Sequence, residues 1–172
     1  MGELANFPLF VPKPPLALTV TSWNQLNSLN PKVSEITIPS NSMNDVSFTV
    51  LDLIRFRRLR KIVIGNECFM NVNEIRLIGL YDLESVVIGM NSFTKYKNTH
   101  ILSGNPNRHF YLKNCPKLKS LKIGGYSFSD YKVIEIENVN ALEVIEMGDL
   151  NEYSCCFFYA SLELKSILIH RE

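Results

Sequence analysis

Residues 59–83 read Leu59-Arg-Lys-Ile62-Val-Ile64-Gly-Asn-Glu-Cys-Phe69-Met-Asn-Val72-Asn-Glu-Ile75-Arg-Leu77-Ile-Gly-Leu80-Tyr-Asp-Leu83. The apolar skeleton is Leu59-x-x-Ile62-x-Ile64 with Phe69 beyond it, then Val72-x-x-Ile75-x-Leu77-x-x-Leu80. Leu83 opens the same spacing again. It returns at Leu118, and in weaker form at Val33, Leu142 and Leu164. Self-similarity at a period of 20–50 residues marks a stack of like units, each unable to bury its apolar face alone.

The unit starts at Val33, Leu59, Leu83, Leu118, Leu142 and Leu164 lie 26, 24, 35, 24 and 22 residues apart. The long interval contains residues 94–108, with Lys95, Lys97, His100, Gly104, Asn105, Pro106 and Asn107. That run reads as an inserted surface loop. Within a unit, Ile62 and Ile64, Val86 and Ile88, Leu121 and Ile123, and Ile145 and Met147 have the period-2 step of a strand. Side by side, such strands form a parallel sheet over one continuous core. A second alternation, Ile75-x-Leu77, Phe110-x-Leu112 and Ile134-x-Ile136, is expected to return along the opposite side, strand-like or extended.

Ahead of the units, Pro8, Pro12, Pro14 and Pro15 exclude a helix. Residues 16–20 alternate like a short strand. Ser22 is placed to cap a helix carrying Trp23, Leu26 and Leu29, which Pro31 stops. The expected organisation is a lead-in and cap over residues 1–31 and a repeat region over 32–172.

The spacing Leu83-x-x-Val86-x-Ile88-x-x-Asn91-x-Phe93 resembles the leucine-rich repeat signature, and Val33 to Met43 matches it as well. The units at Leu59 and Leu118 carry Glu67 and Tyr126 at the Asn position. Ile64-Gly-Asn-Glu-Cys-Phe69, Ile88-Gly-Met-Asn-Ser-Phe93 and Ile123-Gly-Gly-Tyr-Ser-Phe128, with Asn114-Cys115 ahead of Leu118, are similar to a subtype found in bacterial surface proteins and large protist repeat families. The resemblance implies a repeat solenoid: a right-handed coil with a concave parallel β-sheet, and short strands, turns and little helix on its convex side. It implies a protein-binding role and no catalytic residues.

The chain has 172 residues with a formal net charge of +1, so no global attraction to nucleic acid or anionic membrane is expected. No apolar run is long enough to span a bilayer. Residues 1–6 lack a basic region followed by an apolar core, so no secretory signal is expected. Gly2 is followed by Asn6 rather than Ser or Thr, against myristoylation. The four cysteines do not form Cys-x-x-Cys pairs, and no Asn-x-Ser/Thr acceptor occurs. Together these favour a reducing, cytoplasmic compartment.

Few residues suggest chemistry. Cys68 stands where other units have Ser92 and Ser127, and Cys115 where they have Leu80 and Val139, which reads as small buried packing. Of Cys155 and Cys156, one is expected to face outward. His100, His109 and Cys115 are too widely spaced for tetrahedral zinc and lack the partners of a nucleophilic pair. Gly65, Gly89, Gly124 and Gly148 occur singly, which suits one tight turn per unit rather than a phosphate loop. The basic run Arg55-Phe-Arg57-Arg58-Leu-Arg60-Lys61 reads as a solvated connection with Phe56 turned inward. No cofactor or metal is expected.

Two columns should face outward from the stacked strands. Arg60, Glu84, Lys119, Glu143 and Lys165 alternate in sign and support register. Thr37, Val63, Val87, Lys122, Glu146 and Leu168 form the candidate partner-binding column. Val63 and Val87 are adjacent there, as a contact surface or because β-branched residues suit strands. The expected function is a non-enzymatic protein–protein interaction module using that sheet face or the 94–108 loop. The alternative is a structural or surface-display segment that stacks on another copy, or continues, through an open C-terminal edge.

Overall fold

The computed structural model describes residues 16–96, 103–149 and 154–166. Among them the chain is mostly β, with two parallel sheets and little helix. The first sheet holds β1 (Ala17–Thr19), β2 (Glu35–Ile38), β4 (Lys61–Ile64), β6 (Ser85–Ile88), β8 (Ser120–Ile123) and β10 (Val144–Met147), in that order. The second holds β3 (Val50–Asp52), β5 (Glu74–Ile78), β7 (Asn105–Lys113), β9 (Tyr131–Glu137) and β11 (Ser161–Lys165). From β2 onward the chain alternates between the sheets, and every pairing is parallel.

The residues at the period-2 positions close the space between the sheets. Ile36, Ile62, Val86 and Leu121 form one inward column of the first sheet, and Ile38, Ile64, Ile88 and Ile123 the next. Ile75, Phe110 and Ile134, with Leu77, Leu112 and Ile136, do the same from the second. All belong to one core, and burial of each such side chain stabilises by about 1.5–3 kcal/mol.

The turn leaving each first-sheet strand from β2 onward repeats too. Asn41 and Met43, Glu67 and Phe69, Asn91 and Phe93, Tyr126 and Phe128, and Cys155 and Phe157 all have left-handed φ between 39° and 63°. Such backbone in non-glycine residues costs on the order of 1–3 kcal/mol each and survives only where neighbours over-determine it. Here they do. Phe69, Phe93, Phe128 and Phe157 stack nearly parallel at 4.9, 4.8 and 4.6 Å, close to the spacing of adjacent strands. The Ser92 hydroxyl accepts from Cys68 N at 3.2 Å and donates to Gly65 O at 2.9 Å. Ser127 repeats this between Ser92 N and Gly89 O at 3.0 and 2.6 Å. The Asn position of the sequence pattern is one of the left-handed sites, which Glu67 and Tyr126 adopt as well.

The glycines after the strands serve a purpose other than the tight turn expected of them. Gly65, Gly89 and Gly124 do not have left-handed φ. A Cβ on Gly89 would lie 2.6 Å from both Gly65 C and Asn66 N, and one on Gly124 2.5 Å from Met90 N. They permit neighbouring backbones to approach. Of the four glycines that follow first-sheet strands, Gly148, with φ 71°, alone has the left-handed backbone that glycine favours; Gly79, after β5, shares it at 65°.

At the start, the helix α1 (Trp23–Ser28) is capped by Ser22, whose side chain accepts from Gln25 N at 3.3 Å. Trp23 packs on Phe48 with centroids 3.9 Å apart, and Leu26 is buried. Arg55 donates to Leu26 O at the end of α1, at 2.5 Å, while Phe56 is buried as expected of the basic run. Residues 1–15 lie outside the described set. No described helix is long and apolar enough to cross a membrane.

Two expectations need correcting. The unit starting at Leu142 regains the pattern after five extra residues, 149–153. Ser154 O accepts from Tyr126 N, Cys156 Sγ donates to Gly124 O at 3.2 Å, and Phe157 stacks on Phe128. The segment at Leu164 therefore starts no further unit of the first sheet. It is the second-sheet strand of the Leu142 unit, with Leu162 opposite Ile134 and Leu164 opposite Ile136. The other correction concerns residues 94–108. Residues 97–102 lie outside the described set, but Thr94 and Arg108 are buried and residues 105–108 belong to β7. Between the pairs Asn105–Tyr131 and His109–Val133, three residues of β7 oppose one of β9. That bulge turns Arg108 inward.

Candidate functional site

The outer face of the first sheet carries the candidate column. Strand register places Thr19, Thr37, Val63, Val87, Lys122 and Glu146 side by side across all six strands. Val63 and Val87 are half-buried at its centre; Thr37, Lys122 and Glu146 are exposed. Lys122 and Glu146 pair at 2.9 Å. Leu168 lies outside the described residues, and the strand preceding it belongs to the second sheet.

The charged column is also built, with one exception. Glu84 N bonds Arg60 O, Lys119 N bonds Glu84 O and Glu143 N bonds Lys119 O, so these residues sit in series. Arg60 grips Glu84 with two bonds, at 3.0 and 2.9 Å. Lys165 is not in this column: it stands opposite Glu137 in the second sheet, because β11 continues that sheet. Exposed pairs of this kind add little to stability, and their role is register. Between two charged flanks, Val63 and Val87 are the apolar centre of the face.

The outer face of the second sheet is more chemically varied than sequence reasoning allowed. Asp52, Arg76, Tyr111, Glu135 and Glu163 form one column. Arg76 pairs with Glu74 at 2.6 Å and with Asp52 at 3.6 Å. Lys113 bridges Glu135 and Glu137 and lies 5.4 Å from the centroid of the Tyr111 ring. His109 Nε2 faces Pro106 O at 2.8 Å. A carbonyl only accepts, so Nε2 carries the proton of the neutral ring and Nδ1 accepts from the Tyr111 hydroxyl at 2.8 Å. The residues between Ile75-x-Leu77, Phe110-x-Leu112 and Ile134-x-Ile136 would have revealed this column, had the return segment been read as a sheet.

Beneath the bulge lies a buried polar cluster that sequence reasoning missed. The Arg108 guanidinium, fully buried, donates to Asp130 Oδ1 at 3.1 Å, Phe93 O at 3.1 Å and Met70 O at 2.7 Å. Its Nε has no hydrogen-bond partner. Tyr131, also fully buried, donates to Val72 O at 2.7 Å. Thr94 and Ser129 hydroxyls meet at 2.9 Å. Burial raises the Asp130 carboxyl above its ordinary value, against the opposing pull of Arg108. Arg108 touches segments from three successive units, and no sequence spacing announced it.

The thiols are held by packing. Burial pushes Cys115 and Cys156 up to about 11, and raises Cys68. Cys115 Sγ donates to Leu77 O at 3.5 Å, away from His109. Among the described residues, no group of three or more His, Cys, Asp or Glu side chains is placed to hold a metal ion. Comparison with known families, curated proteins and solved structures finds no match for this chain.

Proposed function

We propose that this chain is a leucine-rich-repeat-like solenoid acting as a non-enzymatic protein–protein interaction module, and that it binds its partner on the outer face of the first sheet. The observation that carries this reading is the adjacency of Val63 and Val87. Two half-buried aliphatic side chains lie in register at the centre of an outward-facing column whose flanks are already paired in charge. Apolar centres with polar rims are what stable protein contacts desolvate. At the two ends of the 94–108 segment, Thr94 and Arg108 point into the protein.

The test is partner capture by the wild-type chain and by the double variant Val63→Lys, Val87→Lys. Loss of two central contacts should weaken capture by about tenfold or more, with little change in the melting temperature because both side chains face outward. Equal capture by a folded double variant would remove this face from consideration.

A further inference from the structure

The turn that leads into each first-sheet strand recurs as well. Val33 N bonds Asn30 O and Leu59 N bonds Phe56 O at 3.0 Å, and Leu83 N bonds Leu80 O and Leu118 N bonds Cys115 O at 3.1 Å. The two middle residues of these turns form a corner row: Pro31-Lys32, Arg57-Arg58, Tyr81-Asp82 and Pro116-Lys117. In the later units its charges cancel, with Lys117 on Asp82 at 2.7 Å and Arg60 on Glu84 at 2.9 Å beside them. In the first two units they do not. Lys32, Arg57 and Arg58 are exposed, and so is Lys61, which opens β4 on the outward face two residues before Val63. Among the described residues, none of these four side chains has an ion pair or a hydrogen bond. Glu35, opposite Lys61 in register, offsets one of the four charges.

We propose that this corner takes a carboxylate-rich segment of a protein partner, laid along β4 with an apolar side chain over Val63 and Val87. The proposal rests on the binding face described above and names the chemistry of what that face binds. Side chains on one side of an extended segment recur every two residues, about 6.5–7 Å apart. Val63 and Lys61 are separated by the same step. An aliphatic residue on the valines therefore brings acidic residues at the following alternate positions to Lys61, and then to the corner of Lys32 and Arg58. Carboxylates there meet cations that nothing in this chain engages, which speeds encounter and fixes the direction of the segment. The chain supplies no such segment itself: none of its undescribed stretches carries more than one acidic residue. A nucleic acid fits less well. A phosphate backbone is held by cations in series, and past Lys61 the face turns to valines and then to the Lys122–Glu146 pair.

Selection from a library of random displayed peptides on the full chain tests this. The expected peptides carry several Asp or Glu beside an aliphatic residue, and their binding, read on soluble peptide by fluorescence anisotropy, weakens as salt rises. Arg58→Glu with Lys61→Glu should weaken it by about tenfold or more without changing the melting temperature, since both side chains are exposed. The neutral pair Arg58→Gln with Lys61→Gln should fall between that variant and wild type. No enrichment, enriched peptides that are neutral or basic, equal binding by the charge-reversed chain, or tighter binding of a single-stranded oligouridylate overturns the proposal. Val63→Ser with Val87→Ser separates it from the reading it rests on. Loss of binding by the valine variant alone keeps the apolar face and removes the basic corner. Loss by the charge-reversed variant alone keeps the corner and removes the apolar face.

Discussion

Replacing Arg108 with Met tests what the buried cluster contributes. Met keeps much of the apolar stem and removes the guanidinium. Asp130, 2% exposed, then loses its cation, and Phe93 O and Met70 O lose their donor. Removing one member of a buried ion pair costs about 3–5 kcal/mol. That is a large share of the about 5–15 kcal/mol that holds a domain folded. With a urea m-value of about 2 kcal/mol/M, the midpoint should fall by roughly 1.5–2.5 M near pH 7. The loss should depend on pH. Asp130 already has a raised carboxyl pKa in the folded protein, and losing Arg108 removes the main influence holding it down. An acid whose folded pKa is raised binds more protons folded than unfolded, so stability falls as pH rises from its unfolded value through its folded one. The variant should therefore recover part of its deficit on acidification towards about pH 4.5, measured against wild type at each pH. Adding Asp130→Leu should recover part of it near pH 7. Equal deficits at both pH values, with no gain from the second substitution, would refute the charge-based account and leave only a cavity.

Gly89→Ala should destabilise by about 1–3 kcal/mol in urea unfolding, because its Cβ meets fixed backbone of Gly65 and Asn66 at 2.6 Å in addition to the Asn66 side chain. An unchanged midpoint would show that the neighbouring backbones can spread. A thiol reagent applied to the native protein should modify Cys155 first. It should spare Cys68, Cys115 and Cys156, whose thiols burial holds protonated and which donate to Pro39, Leu77 and Gly124 carbonyls. Simultaneous labelling of all four, read by peptide mass, would contradict that packing.

The first sheet was legible because Leu59-x-x-Ile62-x-Ile64 recurs with the same step, and a period of two admits one inward set. The Phe stack was marked in the sequence by Phe69, Phe93 and Phe128. The second sheet was half visible: Ile75-x-Leu77 is too short to separate strand from extended turn. Arg108 was hidden because the bulge that aims it has no sequence signature, and a basic residue in a run of Asn and Pro reads as loop. Leu164 misled for a different reason. Leu162-x-Leu164 and Ile167-x-Ile169 offer two possible phases, and the five residues after Gly148 moved the true one. Gly65, Gly89 and Gly124 were recognised but explained wrongly, since the constraint on them comes from the backbone of the preceding unit rather than from their own dihedral angles.

The corner following each first-sheet strand has absorbed unequal lengths of chain. Five residues enter after Gly148, and a longer stretch after Phe93, yet on either side the same partners meet across the strands. Outside the β7 bulge, counting is strict along the ladders, and it is free at the bends. A foreign peptide grafted at such a bend would inherit a rigid pedestal, and a lineage of these proteins can vary there without renegotiating its interior.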